Sequence, residues 1–320
     1  MKKNRVEEVV FAIEQILSGD PPGFAPGVSG YSGQRLVHLL GTLAGRGGGK
    51  RGCYVEVGVY RGLTLASVGY AAPDKNVYGI DNFRVFDPQG ENQRVAETHL
   101  ARLGLNRARI INKDYEDALA SLSENIGDEK IDCYFVDGPH DYRSQLMCLS
   151  AVRPYLHDDA VIVVDDCNYE HVRQATQDFL TAFPEYRLVF DAYTECHPYN
   201  MNEADRERAA KGWWNGVHVL LRDDDGVLPK LTVPTQRSRR VFENEHTIHS
   251  ARYPAAALSG LQLAEAWDAF MHRRPGYSAR MLKRAASGVL KCLRKDAETR
   301  GEFPGMNTRS RGLEKARLAK

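Results

Sequence analysis

Cys53-Tyr54-Val55-Glu56-Val57-Gly58-Val59-Tyr60-Arg61-Gly62 is the stretch on which the fold turns. Its first half is a short run of apolar and β-branched residues, the signature of a buried strand, and Leu63 opens a helical pattern behind it. Between them Gly58 and Gly62 let the backbone approach a ligand closely and adopt dihedrals that other residues avoid. The same strand, loop and helix succession continues downstream. Strands are expected at 77–80, 108–111, 131–136 and 160–164, and helices at 92–103, 117–122, 144–155 and 172–182. Five such units predict an α/β architecture, with a parallel, doubly wound sheet covered by helices on both faces. Two further strands are expected at 186–192 and 216–221, joined by a polar loop with a short helix at 203–211 rather than by a full crossover.

Outside this region the helical spacing of 4–17 and 34–43 predicts an N-terminal helical cap, and patches at 258–271 and 279–293 predict a partly helical C-terminal extension. The expected division is 1–50 cap, 51–222 cofactor-binding domain, 223–300 extension and 301–320 flexible basic tail. The tail lacks the apolar residues needed to offset the entropy of ordering it.

The chemistry is suggested by where the acids fall. Glu56, Asp81, Asp114, Asp137 and the pair Asp165-Asp166 each close or follow a strand. In an open parallel sheet those strand ends face one crevice. The glycine loop lacks full G-x-G-x-x-G spacing, with Tyr60 where a middle glycine would stand. Glu56 before it repels a pyrophosphate but suits a cationic sulfonium and an α-amino group. Asp81, ending the second strand, is placed to accept the hydroxyls of a ribose.

Tyr54 to Gly62, Tyr78-Gly79-Ile80-Asp81, Phe135-Val136-Asp137-Gly138-Pro139-His140-Asp141-Tyr142 and Val163-Val164-Asp165-Asp166 together resemble the class I S-adenosylmethionine-dependent methyltransferases. Within that class they are most similar to the group related to macrocin-type sugar O-methyltransferases. The resemblance spans about residues 31–221. It implies a seven-stranded Rossmann-like sheet, ordered 3-2-1-4-5-7-6 with the last strand antiparallel. It implies Glu56 and Gly58 at the methionine end of the cofactor, Gly62 among the cofactor-binding residues of the same loop, Asp81 at the ribose, and Asp114 with Tyr115 near the adenine. It further implies that Asp137, Asp165 and Asp166 hold a Mg2+ ion, a hard cation suited to carboxylate oxygens, with Asp137 and His140 serving catalysis. His140 fits a general base acting near neutral pH. A hydrogen-bonded turn histidine is the alternative, as helix capping is for Asp165-Asp166. The lysine of catechol-type relatives has no counterpart, which leaves the base open. His197, Trp213 and Trp214 lie near the loop before the last strand, as substrate contacts or as packing. His246 and His249 show ligand-like spacing that a loop also explains.

The 320 residues carry a net charge of +1, with 42% hydrophobic and 27% charged residues, an ordinary globular balance. From His272 onward there are 14 Lys and Arg against 4 Asp and Glu; the remainder is acidic, with 29 against 38. The apolar stripe of 279–293, ringed by Arg and Lys, reads either as a helix docked on the acidic body or as a basic amphipathic helix on an anionic membrane. No signal peptide or transmembrane run is evident, and six cysteines without CxxC pairs suit a reducing compartment, so a cytoplasmic location is expected. The expected activity is methyl transfer to a hydroxyl of a small acceptor, a sugar or a natural-product glycoside. No nucleic-acid partner is expected, and a homo-oligomer is compatible. A nucleotide-dependent oxidoreductase and a nucleic-acid-binding protein recruited by the basic tail are the alternatives; the tail lacks aromatics interleaved for stacking.

Overall fold

Alternation along the central strands sends successive side chains to opposite sides, and both sides are apolar. The computed structural model describes residues 2–19, 25–45, 52–87, 89–236 and 257–299. Strands β1 (Cys53–Val57), β2 (Val77–Ile80), β3 (Ala108–Ile111), β4 (Ile131–Val136), β5 (Leu156–Asp165), β6 (Tyr186–Ala192) and β7 (Val217–Arg222) form one sheet in the order β3-β2-β1-β4-β5-β7-β6. β1 to β5 are parallel, and β7 runs antiparallel between β5 and β6. This is the sheet of the Rossmann-like methyltransferases, in the order the resemblance implies.

Tyr54, Phe135 and Val163 point to one face, where they meet Val9 of α1 (Lys2–Ser18), Leu39 and Leu40 of α2 (Gln34–Gly45) and Leu65 of α3 (Leu63–Ala71). Their neighbours Val55, Tyr134 and Val164 point to the other. There they meet Leu119 of α5 (Tyr115–Ala120), Leu149 of α7 (Tyr142–Ala151) and Phe179 of α8 (Glu170–Ala182). Each such buried large side chain is worth about 1.5–3 kcal/mol. The remaining helices of this unit are α4 (Asn92–Arg102), α6 (Ser123–Ile126) and α9 (Glu203–Lys211).

Boundaries differ from the sequence reading for local reasons. The helix expected at 144–155 begins at Tyr142, because Asp141 caps it by accepting the Ser144 N–H at 3.0 Å. It yields after Ala151 to a 3-10 turn, Arg153–Tyr155, where Pro154 has no N–H to donate. β5 starts at Leu156 rather than 160, since Leu156 pairs with Ile131 across a register irregularity that breaks the apolar run. The helix expected at 117–122 starts at Tyr115 under an Asp114 cap.

Residues 1–237 and 238–320 form two compact units. The first includes 223–236, where the Asp223 carboxylate accepts the N–H groups of Val227 and Leu228 and the Val233 N–H bonds Gln177 of α8. The described part of the second is an antiparallel hairpin of α10 (Ala257–Met271) and α11 (Pro275–Thr299), pinned by a 2.7 Å bond from the Ser278 hydroxyl to the Ala266 carbonyl. The tail of 301–320 and the pair His246/His249 lie outside the described residues.

Candidate active site

The strand order places β1 between β2 and β4, so chain connections leave its carboxyl end in opposite directions and open a crevice there. A cavity of about 990 Å3 occupies it, lined by Gly58, Asp81, Asp114, Tyr115, Asp137, His140, Asp165 and Asp166 among others. Gly58 has φ +97°, and a Cβ there would lie 1.9 Å from the Asp137 carbonyl oxygen. Only glycine allows the β1 loop and the β4 end to meet. Gly62 caps α3 behind the cavity wall.

Asp81 anchors that loop. One carboxylate oxygen accepts the N–H groups of Val59 and Tyr60 at 2.9 and 2.8 Å, and the other accepts Phe83 N–H at 2.7 Å. A carboxylate has about four acceptor sites, so capacity for a ligand hydroxyl remains. Asp114 accepts from Glu116 N–H and the Asn82 amide, and the Tyr115 hydroxyl donates within a pair with Ser144 at 2.9 Å. Glu56 is fully buried and does not line the cavity. It accepts hydrogen bonds from Tyr54 and Thr64 at 2.7 and 3.1 Å, and Thr64 stands in the wall. Burial pushes the Glu56 carboxyl up to about 8 despite those bonds.

At the other end Asp137, His140 and Asp166 each offer a ligand atom, all within 4.8 Å of one another. His140 Nε2 lies 2.6 Å from an Asp166 carboxylate oxygen. Asp166 also accepts from the Asn215 amide. Asp165, the third acid of the resemblance, is not part of that group: one of its oxygens accepts the Asp166 N–H at 2.8 Å, within its own turn. Burial, and then the repulsion of neighbouring carboxylates, holds the Asp137 and Asp165 carboxyls well above the ordinary range. Stacked acids of this kind are relieved by a cation, and two carboxylates with an imidazole form a donor set that a divalent ion accepts.

An aromatic wall joins the two ends. His140 stacks on Tyr169 at 5.3 Å, Tyr169 faces His197 at 5.8 Å, and His197 faces Tyr199 at 5.3 Å. Tyr31 then contacts Tyr60, Tyr199 and Trp214 at 5.5, 5.9 and 6.4 Å. Two residues on, Gly33 packs against the backbone of Gly212 and Trp214, where a Cβ would meet the Gly212 carbonyl oxygen at 2.1 Å. Of the two tryptophans singled out in the sequence, Trp214 lines the cavity, while Trp213 is core and packs on Phe190. Tyr31, Tyr60, Tyr169 and Tyr199 were not foreseen. Tyr60 stood in the glycine loop itself, and Tyr31 between Gly30 and Gly33 was the available signal for the N-terminal part of the wall.

Backbone strain gathers here as well. Six non-glycine residues have left-handed φ among those described, and five of them, Tyr60, Phe83, Phe86, Asp166 and Trp214, line this cavity. Such residues persist where surrounding structure over-determines them, commonly at functional sites.

Residues 55–167 match the family model of a methyltransferase domain. The chain is also 27% identical over 140 residues to an uncharacterized protein of Acanthamoeba polyphaga mimivirus, covering 44% of this chain and 62% of that one. It thus spans less than two thirds of the length of that curated relative. Among solved structures it is similar to an O-methyltransferase from Bacillus cereus in complex with S-adenosylhomocysteine, at 15% identity and TM-score 0.45 over 69% of this chain and 91% of that one. It is similar also to TomG from Streptomyces achromogenes, an O-methyltransferase of tomaymycin synthesis, at 18% identity and TM-score 0.45 over 68% and 90%.

Proposed function

We propose that this chain transfers a methyl group from S-adenosylmethionine to a hydroxyl oxygen of a small ring-bearing acceptor, a sugar or natural-product glycoside, with a divalent cation such as Mg2+ assisting. One observation carries the reading. A single cavity at the topological switch point brings Gly58, Asp81, Asp114 and Tyr115 together with the cluster Asp137, His140 and Asp166, and this reading takes the first set for the cofactor and the second for the acceptor. The match of 55–167 to a methyltransferase domain supports it.

In this reading Asp81 orients the ribose, and the Asp114–Tyr115 cap borders the adenine. Glu56 acts through Thr64 at the methionine end. The cofactor supplies an electrophilic methyl on a sulfonium. The metal would be held by the carboxylates of Asp137 and Asp166, and would lower the pKa of a bound hydroxyl. His140, held beside them by Asp166, accepts the proton. The aromatic wall stacks the acceptor ring and excludes water, so that the hydroxyl is held in line with the methyl group.

S-adenosylhomocysteine should therefore raise the melting temperature, as a ligand of the native state must. Asp81→Ala should weaken binding by roughly 2–4 kcal/mol, losing charge-assisted hydrogen bonds and the loop anchor together. A wild-type protein whose melting is unmoved at saturating ligand would refute the proposal. Calorimetry with nicotinamide cofactors tests the oxidoreductase alternative.

A further inference from the structure

The hairpin of α10 and α11 is built inside out. Its helix–helix contact is made by small side chains, Ser259, Ala266 and Ala269 against Ser278 and Ala285, with Met281 beside them, all buried. The large apolar residues are the exposed ones. On α10 Leu263, Trp267, Phe270 and Met271 are 50%, 67%, 61% and 63% exposed, and on α11 Leu282 and Leu290 are 50% and 58% exposed. A helix pair surrounded by water ordinarily places its large apolar groups at the contact and its polar ones outside. Small residues at the contact, with large apolar ones outward, suit a pair whose surroundings are themselves apolar.

Six of the exposed groups form a plate, while Leu258 and Leu261, 62% and 64% exposed, lie off it. At 3.6 residues per turn, the four α10 residues lie along one flank of its contact line, and Leu282 and Leu290 lie along the matching flank of α11. Because the helices run antiparallel, both flanks face the same side. The Trp267 and Phe270 rings are neighbours on it, 6.0 Å apart. Away from the plate α11 carries Arg280, Arg284, Lys291 and Arg294, all exposed. Residues 257–299 hold 8 Lys and Arg against 4 Asp and Glu. Neither helix is long and apolar enough to cross a membrane.

We propose that this hairpin lies in the plane of an anionic phospholipid surface. Its apolar plate is buried at the boundary of headgroups and acyl chains, and the basic side chains of α11 reach up to lipid phosphates. Charge favours this occupant over a second copy of the chain, since pairing two such plates brings two basic helices together. The inference is independent of the methyltransferase reading.

The test uses the full chain and co-sedimentation with vesicles of phosphatidylcholine alone or containing about a third phosphatidylserine. Binding to the anionic vesicles should be at least about tenfold tighter and should weaken as NaCl rises from about 0.1 to 0.5 M. Trp267→Ser with Phe270→Ser should reduce it by about tenfold or more. Arg284→Gln and Lys291→Gln should each cost about fivefold. Circular dichroism checks that these surface variants keep their helices. Failure to pellet with either vesicle would overturn the proposal, and so would equal binding to both. It would also fall if, without lipid, the chain formed a dimer that the Trp267→Ser, Phe270→Ser variant abolished, since the plate would then be a contact between copies.

Discussion

Between Asp165 and Asp166 the chain passes from extended strand to a left-handed residue, φ +58°, and the two carboxylates part company. Adjacent acids at a strand end read as an equivalent pair in sequence, because nothing in composition tells which will turn outward. The structure gathers Asp166 with Asp137 and His140 and leaves Asp165 bonded within its own turn. If the proposed metal is held there, Asp166→Asn should abolish both Mg2+-dependent activity and the thermal shift produced by Mn2+. Asp165→Asn should lower activity less and retain the shift; equal loss in both variants would restore the original trio. A second residue-level expectation concerns Glu56, whose carboxyl is raised to about 8 in the fold. It is neutral in both states below about pH 4.5, but between there and pH 8 the unfolded chain ionises first, so this residue's contribution to stability falls as pH rises. Glu56→Gln should therefore gain on wild type by a few kcal/mol from pH 5 to 8, read by urea melts at each pH. A constant difference across that range would show that burial does not hold the proton.

At the scale of elements, the strands were legible because each carries enough β-branched and aromatic residues to register in a short window, and acids or glycines mark their ends. The acids of the cavity, Asp81, Asp114, Asp137 and Asp166, follow directly from that phase. The aromatic wall does not. Tyr31 lies in a bend before α2, Tyr199 in the 3-10 turn Pro198–Asn200 and Trp214 in the turn before β7; none carries a readable period, and they meet only in the folded chain. Helix starts were likewise displaced wherever an aspartate cap, as at Asp114 or Asp141, outweighed the apolar spacing. The β1 loop gives this scale its prediction. Gly58→Ala should destabilise the first unit by about 3 kcal/mol or more, lowering its melting temperature by around 10 °C. A variant that melts like wild type would show that the loop can rebuild away from Asp137.

For the whole molecule, the two-unit division puts the boundary near residue 237 rather than 222, because 223–236 remain bonded to the first unit through Asp223 and Gln177. A chain ending at Arg237 should retain cooperative melting and its response to S-adenosylhomocysteine. One ending at Tyr277 should lose solubility, since α10 is left without the helix that covers its small-residue face. Loss of the ligand response on cutting at 237 would mean that the second unit contributes to the site. The basic C-terminal charge was evident from composition alone; that the stripe beside it faces outward was not, since helical spacing reports a face but never what lies against it.

The five left-handed residues around the cavity carry a consequence for engineering. Each non-glycine in that conformation costs on the order of 1–2 kcal/mol, and glycine or asparagine would relieve it. In a mutant library sorted only for heat resistance, positions 60, 83, 86, 166 and 214 are where such replacements would enrich. Sorted instead for turnover, the same clones would be discarded, for they lose the aromatic faces and the acid that the cavity presents. Thermal endurance and catalysis thus compete at these five positions.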